Sequence, residues 1–239
     1  MNSTSSSPLA LSVRALVLAA LLPAVAPAAV LVNFPFNNSG GGSSGLAYTT
    51  FDSTALASAT VTAGPGLDEF SVGTDSWSGT TQVLKTGPDI ETTSSAANAL
   101  ARNWYFQFTL TPNPNSSMDI RSIEADWSRG GRYGVRGWFV RSSVDNYLTD
   151  LYANETPDGT ATGLQHAAFD VSGNTGLSAA TTYRFYIYTP DTNRFVDFQN
   201  VQFNSHSLPS SVPEAAAAST LWLWSGALLG LMIHRRRRQ

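Results

Sequence analysis

The chain of 239 residues contains no cysteine. Disulfides, thiol nucleophiles and cysteine-ligated zinc are thereby excluded, and stability in an oxidising compartment has to come from packing alone. Histidine is almost as scarce. His166, His206 and His234 are the full set, and the last two sit beside or inside the C-terminal tail, which leaves one histidine for the domain, too few for a histidine zinc centre. Lysine occurs once, at Lys85. Between residues 29 and 206 nine basic residues stand against sixteen acidic ones, a net charge of −7. That sign argues against nucleic acid or anionic lipid as a ligand. No internal repeat is present, and no long stretch of helical periodicity lies away from the two ends. The glycine-rich run Gly40 to Gly45 reads as a flexible loop. It is followed by neither Lys-Ser nor Lys-Thr nor a helix, so it is no phosphate-binding loop.

What fills the space between the ends is threonine, serine, glycine, asparagine and aromatic residues, the composition of an all-β protein. Trp104, Phe106, Phe108 and Leu110 alternate with Tyr105, Gln107 and Thr109 ahead of a turn at Thr111 to Asn115. Ile123, Ala125 and Trp127 alternate with Ser122, Glu124, Asp126 and Ser128, the pattern of a half-buried strand. Arg129-Gly130-Gly131-Arg132 reads as a hairpin turn, and Val135 to Val140 is apolar on both faces, as a central strand would be. Tyr183, Phe185 and Ile187 alternate with Arg184, Tyr186 and Tyr188. In a last strand, Phe195 to Phe203, the phase of Val196 and Phe198 disagrees with that of Val201 and Phe203, and a bulge near Gln199-Asn200 reconciles them. Short strands at this spacing predict one β-sandwich over residues 29–206, of jelly-roll or concanavalin-like winding.

Chemistry-bearing residues are few. Glu124-Ala125-Asp126 places two carboxylates on the polar face of one strand and is similar to the Glu-x-Asp of laminarinase- and lichenase-like glycosidases, which follow it with a second Glu as acid/base. A retaining mechanism needs two carboxyl groups ~5–5.5 Å apart. Here Ser128 and Arg129 occupy the two places open to that second Glu, so no catalytic residue is assigned and a solvated face balanced by Arg129 and Arg132 is expected. His166 stands alone and reads as a surface histidine. Asp197 falls inside an aromatic strand, where a carboxylate needs a partner or a metal. With the oxygen-rich Asn154 to Asp158 it makes structural calcium conceivable, but no calcium motif is present and no metal or cofactor is assigned. Tyr105, Trp138, Tyr186 and Tyr188 could form a platform on which sugar rings stack, or a second core layer.

The ends are targeting segments. Arg14 precedes an apolar stretch, Ala15 to Leu22, and Ala26-Pro27-Ala28 supplies small residues at the −3 and −1 positions of a signal-peptidase site. Cleavage is expected after Ala28, making residues 1–28 a signal peptide, since cutting after Ala26 would leave Pro27 next to the cut. At the other end a short linker, 207–211, leads to Val212-Pro213-Glu214, an apolar run from Ala215 to Ile233, then His234 and Arg235, Arg236, Arg237 and Arg238. At ~1.5 Å per residue the run covers roughly the ~30 Å hydrocarbon core, and the arginines hold the C-terminus in the cytoplasm.

This three-part tail, residues 212–239, resembles the PEP-CTERM sorting signal of exopolysaccharide-producing Gram-negative bacteria, with Ala215 in place of the second motif proline. The resemblance implies an exosortase-like processing enzyme as partner and Val212, Pro213 and Glu214 as its recognition site. It also implies export across the inner membrane, transient anchoring, and final residence at the cell surface or in the matrix. An ordinary C-terminal membrane anchor is the alternative. Arg132 to Asp145, particularly from Arg136 on, and Phe195 to Val201 look like the jelly-roll ectodomains attached to such tails in planctomycetes and verrucomicrobia, a class with no established activity. The expected role is structural or adhesive in exopolysaccharide, with a carbohydrate-binding module, or a glycosidase on the same scaffold, as the competing reading.

Overall fold

Strand pairing sorts the domain into two sheets. The computed structural model describes residues 29–36, 43–75, 80–88, 95–130, 134–156, 163–190 and 194–205. The signal-peptidase residues Ala26 and Ala28, the motif Val212-Pro213-Glu214, the apolar run 215–233 and Arg235 to Arg238 lie outside them. Among the described residues no helix is long and apolar enough to cross a membrane.

The strands are β1 (Val30–Phe34), β2 (Thr50–Phe51), β3 (Leu56–Ala63), β4 (Leu67–Asp75), β5 (Thr80–Pro88), β6 (Tyr105–Pro112), β7 (Met118–Gly130), β8 (Arg136–Ser142), β9 (Tyr152–Thr156), β10 (Gln165–Leu177), β11 (Thr181–Tyr188) and β12 (Phe195–Asn204). One helix, α1 (Ala96–Arg102), interrupts the series between β5 and β6. Sheet A runs β10-β7-β12-β1-β2, with β5 also beside β12 and β4 beyond β5. Sheet B runs β3-β6-β11-β8-β9. The pairings are antiparallel throughout.

The two sheets face each other across an aromatic core. Phe106, Phe108, Phe185 and Trp138 of sheet B meet Phe198, Phe203 and Trp127 of sheet A, with ring centroids 5.0 Å apart for Phe106–Phe198, 5.3 Å for Phe108–Phe203 and 5.9 Å for Trp127–Trp138. Each such side chain taken out of water contributes about 1.5–3 kcal/mol, and well-angled ring pairs add about 0.5–1.5 kcal/mol. In a chain without disulfides this cluster holds the domain together. The alternations read from the sequence fall on the correct side: Ile123, Ala125 and Trp127 point inward, as do Phe106, Phe108, Tyr183, Phe185 and Ile187. The double-faced apolar strand is β8, buried on both sides between β11 and β9.

The bulge is also present. Between Gln199 and Gln202 the register of β12 against β7 gains one residue, since Gln199 pairs with Asp126 and Gln202 with Glu124. Asn200 carries the extra residue in the left-handed region, at φ 48. The far side of β12 changes partner at the same place, β5 pairing with 196–198 and β1 with 201–204.

Two expectations are corrected. The segment after Arg129 is no hairpin, because β7 belongs to sheet A and β8 to sheet B, so the strands that flank it do not pair with each other. Composition at a turn cannot distinguish a tight reversal from a passage to the other sheet. The serine-rich end of the glycine run is no loose loop either. Ser43–Leu46 is a 3-10 turn in which a Cβ on buried Gly45 would sit 2.7 Å from the Val72 Cβ, so glycine is required for close packing.

Helix α1 forms from an alanine-rich run with high helix propensity, Ala96-Ala97-Asn98-Ala99-Leu100-Ala101. The Ser95 Oγ accepts from the Asn98 N–H at 3.2 Å to cap its start. Asn103 in the left-handed conformation ends it. The helix lies against β11 and β8 and shares a second apolar cluster with Trp104, Tyr105, Phe139, Tyr186 and Tyr188 on the outer face of sheet B.

Candidate functional site

The outer face of sheet A brings together two features that the sequence holds 40 residues apart. Antiparallel pairing of β10 with β7 sets His166 opposite Asp126 and Ala168 opposite Glu124. Because Ile123, Ala125 and Trp127 turn into the core, Glu124 and Asp126 must turn out, and they flank the imidazole. His166 Nδ1 lies 2.9 Å from Asp126 Oδ1, and Nε2 lies 3.9 Å from Glu124 Oε2. A carboxylate can only accept, so Nδ1 carries the proton in that contact, whereas 3.9 Å is an electrostatic contact beyond hydrogen-bond length. The His166 side chain keeps 58% of its surface exposed, Glu124 36% and Asp126 29%.

From the other side β12 contributes amides. Asn200 Nδ2 donates to Asp126 Oδ2 at 2.9 Å. Asn204 Nδ2 donates to Glu124 Oε1 at 2.9 Å and to Ser122 Oγ at 3.2 Å, and Gln202 Nε2 donates to Asn204 Oδ1 at 2.7 Å. The bulge makes this possible. With one extra residue at 199–201, Asn200 reaches Asp126 while Gln202 and Asn204 still line up with Glu124 and Ser122. The result is a row of carboxylate, imidazole and amide groups fixed to one another on an open sheet face.

His166 stands against both carboxylates of the Glu-x-Asp pair. Arg129, expected to balance these carboxylates, is instead buried, with Nη2 donating to the Gly134 carbonyl at 2.6 Å. Asn200, Asn204 and His166 are the groups that contact the two carboxylates instead. Arg132 lies outside the described residues.

The aromatic platform is not exposed. Trp138 points into the main core, and Tyr105, Tyr186 and Tyr188 are 8%, 4% and 5% accessible within the second cluster beside α1. They are a second core layer. Tyr188 donates its hydroxyl to Glu155 Oε2 at 2.8 Å, and burial, followed by this neighbouring carboxylate, pushes its pKa well above the usual tyrosine value. Asp197 is fully buried on β12 opposite Lys85 and Ser128, and it is partnered within the fold. Of the loop 154–158, Asn154 bonds the Tyr152 hydroxyl and Glu155 accepts from Tyr188, while 157 and 158 lie outside the described residues. Among the described residues no group of three or more acidic, histidine or cysteine side chains is placed to hold a metal.

No protein-family model and no curated protein matches the chain. Solved structures with some likeness include the K3 cleaved adhesin domain of Lys-gingipain from Porphyromonas gingivalis W83 (TM-score 0.39, 11% identity, 64% of this chain and 95% of that one). Another is the CBM22-1 xylan-binding domain from Paenibacillus barcinonensis Xyn10C (TM-score 0.39, 13% identity, 77% and 99%). A third is a family 29 carbohydrate-binding module (TM-score 0.34, 11% identity, 75% and 90%). At these scores the likeness bears on neither ligand nor site.

Proposed function

We propose that this domain is a non-catalytic module that binds extracellular polysaccharide on the outer face of sheet A. Its tail, in this reading, delivers it to the cell surface or matrix. The observation that carries the reading is a fixed row in which Glu124, Asp126 and Gln202 are partly exposed and His166 and Asn200 exposed, with buried Asn204 bracing Glu124 from behind. A sugar hydroxyl both donates and accepts, and vicinal hydroxyls are met best by alternating carboxylate and amide groups. These side chains are already held by one another, so little rotamer freedom remains to be lost when a chain of sugars lands on them. An open sheet face also suits a polymer better than a small metabolite, which needs a concave pocket.

The export half of the proposal is supported by the order of parts at the two ends: Ala26-Pro27-Ala28 behind an apolar stretch, and Val212-Pro213-Glu214, an apolar run and Arg235 to Arg238 at the tail. An exosortase-like enzyme acting at Glu214 is the processing partner.

The test is a panel of neutral polysaccharides titrated against the full chain in detergent, with binding and reducing-end release both followed. Binding without release is expected. Replacing both His166 and Asn200 with alanine removes two polar contacts worth about 0.5–1.5 kcal/mol each, so affinity should fall roughly ten-fold. Unchanged affinity in that double variant sinks the assignment to this face. Sugar release that disappears in Glu124→Gln would make the protein a hydrolase instead.

A further inference from the structure

The outer face of sheet B, beyond the part that α1 covers, sets two cations side by side. Pairing of β11 with β8 places Arg184 directly opposite Arg141. Like charges across an antiparallel pair repel, and here they meet in a domain where acidic residues outnumber basic ones. Arg141 is neutralised locally: its Nε lies 2.5 Å from Asp150 Oδ1, and its Nη1 donates to the Tyr147 carbonyl at 3.0 Å. Arg184 is not. Among the described residues no carboxylate lies within ion-pair distance of it.

What holds Arg184 is ring surface, one amide and a hydrogen bond with the Tyr186 side chain. Its guanidinium carbon sits 4.3 Å from the Tyr105 ring centroid and 3.9 Å from that of Tyr147, and its Nε donates to Gln107 Oε1 at 3.3 Å. Tyr147 is delivered by the turn after β8, where Asn146 and Tyr147 both adopt the left-handed conformation. A guanidinium with its planar face on aromatic rings presents its edge to a planar anion, and the N–H donors that Gln107 and Tyr186 leave over can meet it with parallel hydrogen bonds. Two residues along the same face of β11, the Thr182 hydroxyl faces that of Thr109 at 3.1 Å and adds neutral polar groups.

We propose that Arg184 anchors a second saccharide site whose ligand carries a carboxylate: a uronate residue of an acidic polysaccharide. The carboxylate takes the remaining N–H groups of Arg184, the Tyr147 ring forms the adjoining wall, and Thr109 and Thr182 meet sugar hydroxyls. That the ligand is a saccharide rests on the function proposed above; that it is anionic rests on the immobilised, carboxylate-free cation. The domain's overall negative charge does not forbid this, because at physiological salt a local cation is felt over about 8 Å while more distant acidic groups are screened.

The experiment titrates the full chain in detergent with tetragalacturonate and with a neutral tetrasaccharide. The wild-type chain should bind the acidic probe, more weakly as salt rises. Arg184→Gln should weaken that binding roughly ten- to hundred-fold, the loss of a charge-assisted pair, and leave the neutral probe unaffected. Arg184→Lys, which keeps the charge but not the fork, should fall between them and also guards against a folding defect in the glutamine variant. Equal affinity of wild type and Arg184→Gln for tetragalacturonate overturns the proposal. So does a wild-type chain that binds the neutral probe alone, an outcome that leaves the sheet A assignment standing. A wild-type chain that binds neither probe removes both.

Discussion

At Gly137 one hydrogen atom is all the space permits. A Cβ there would stand 2.2 Å from the Tyr188 hydroxyl oxygen and 2.6 Å from the Asn154 carbonyl oxygen, and the second of these is backbone that cannot swing aside. Gly137→Ala should therefore destabilise the domain by about 1–3 kcal/mol, the usual penalty for overpacking. The midpoint of urea unfolding reports it, and an unchanged midpoint would show that β8 and β9 can separate without loss. Nothing in the sequence marks this glycine, since it sits in an ordinary apolar strand pattern between Arg136 and Trp138. The same holds for the candidate site. Glu124 and Asp126 stand out because they are adjacent on one face, but His166 reads as a lone surface residue until the β10–β7 register sets it beside them. Asn200 becomes legible only through the bulge, which the phase break of Phe195 to Phe203 does announce.

Elements were readable where one strand's pattern was enough, and unreadable where pairing partners decided the matter. The alternation in β6, β7 and β11 gave the buried face correctly, because each has the core on one side. The outer face of sheet B misled the eye: Tyr105, Tyr186 and Tyr188 look like an exposed row until α1 is laid against them, and a seven-residue helix leaves too short a period to detect. Among the connecting elements, the turn after β8 has a titratable latch. Asp145 accepts from the Leu148 N–H at 3.3 Å, the Thr149 N–H at 2.9 Å and the Thr149 hydroxyl, and that hydroxyl above all holds its pKa below the ordinary 3.8. A depressed carboxylate stabilises the turn fully above the unfolded value and stops doing so as pH falls through the lower folded one. Tyr147 should thus leave Arg184 only below about pH 3.8. The amide resonance of Thr149, followed by NMR, should titrate with a midpoint under that value and lose the transition in Asp145→Asn. A midpoint at or above it would dissolve the latch.

On the scale of the whole molecule, the fold class was legible and the winding was not. Composition and strand spacing suffice for a two-sheet sandwich, whereas nothing in the sequence after β7 says that the next strand belongs to the opposite sheet. The tail makes its own prediction at this scale. Protein recovered from the extracellular matrix of its native cells should have an intact mass ending between Val212 and Ala215, and Glu214→Ala should leave export intact while abolishing that shortened species. A matrix form that runs through to Gln239 would reduce the tail to a plain membrane anchor.

The first and last described residues are tied together, the Ser205 N–H donating to the Ala29 carbonyl at 2.8 Å. The strand that ends there, β12, is also the one bearing Asn200, Gln202 and Asn204, and it is flanked by β7 and β1 in antiparallel register. Tension between a polymer held on that face and an anchor beyond residue 205 would therefore run lengthwise along a single strand. Its hydrogen bonds would be loaded together, in shear, and would not peel one after another. On the proposed function, the strand that grips the polymer would also be the one that leads to the anchor.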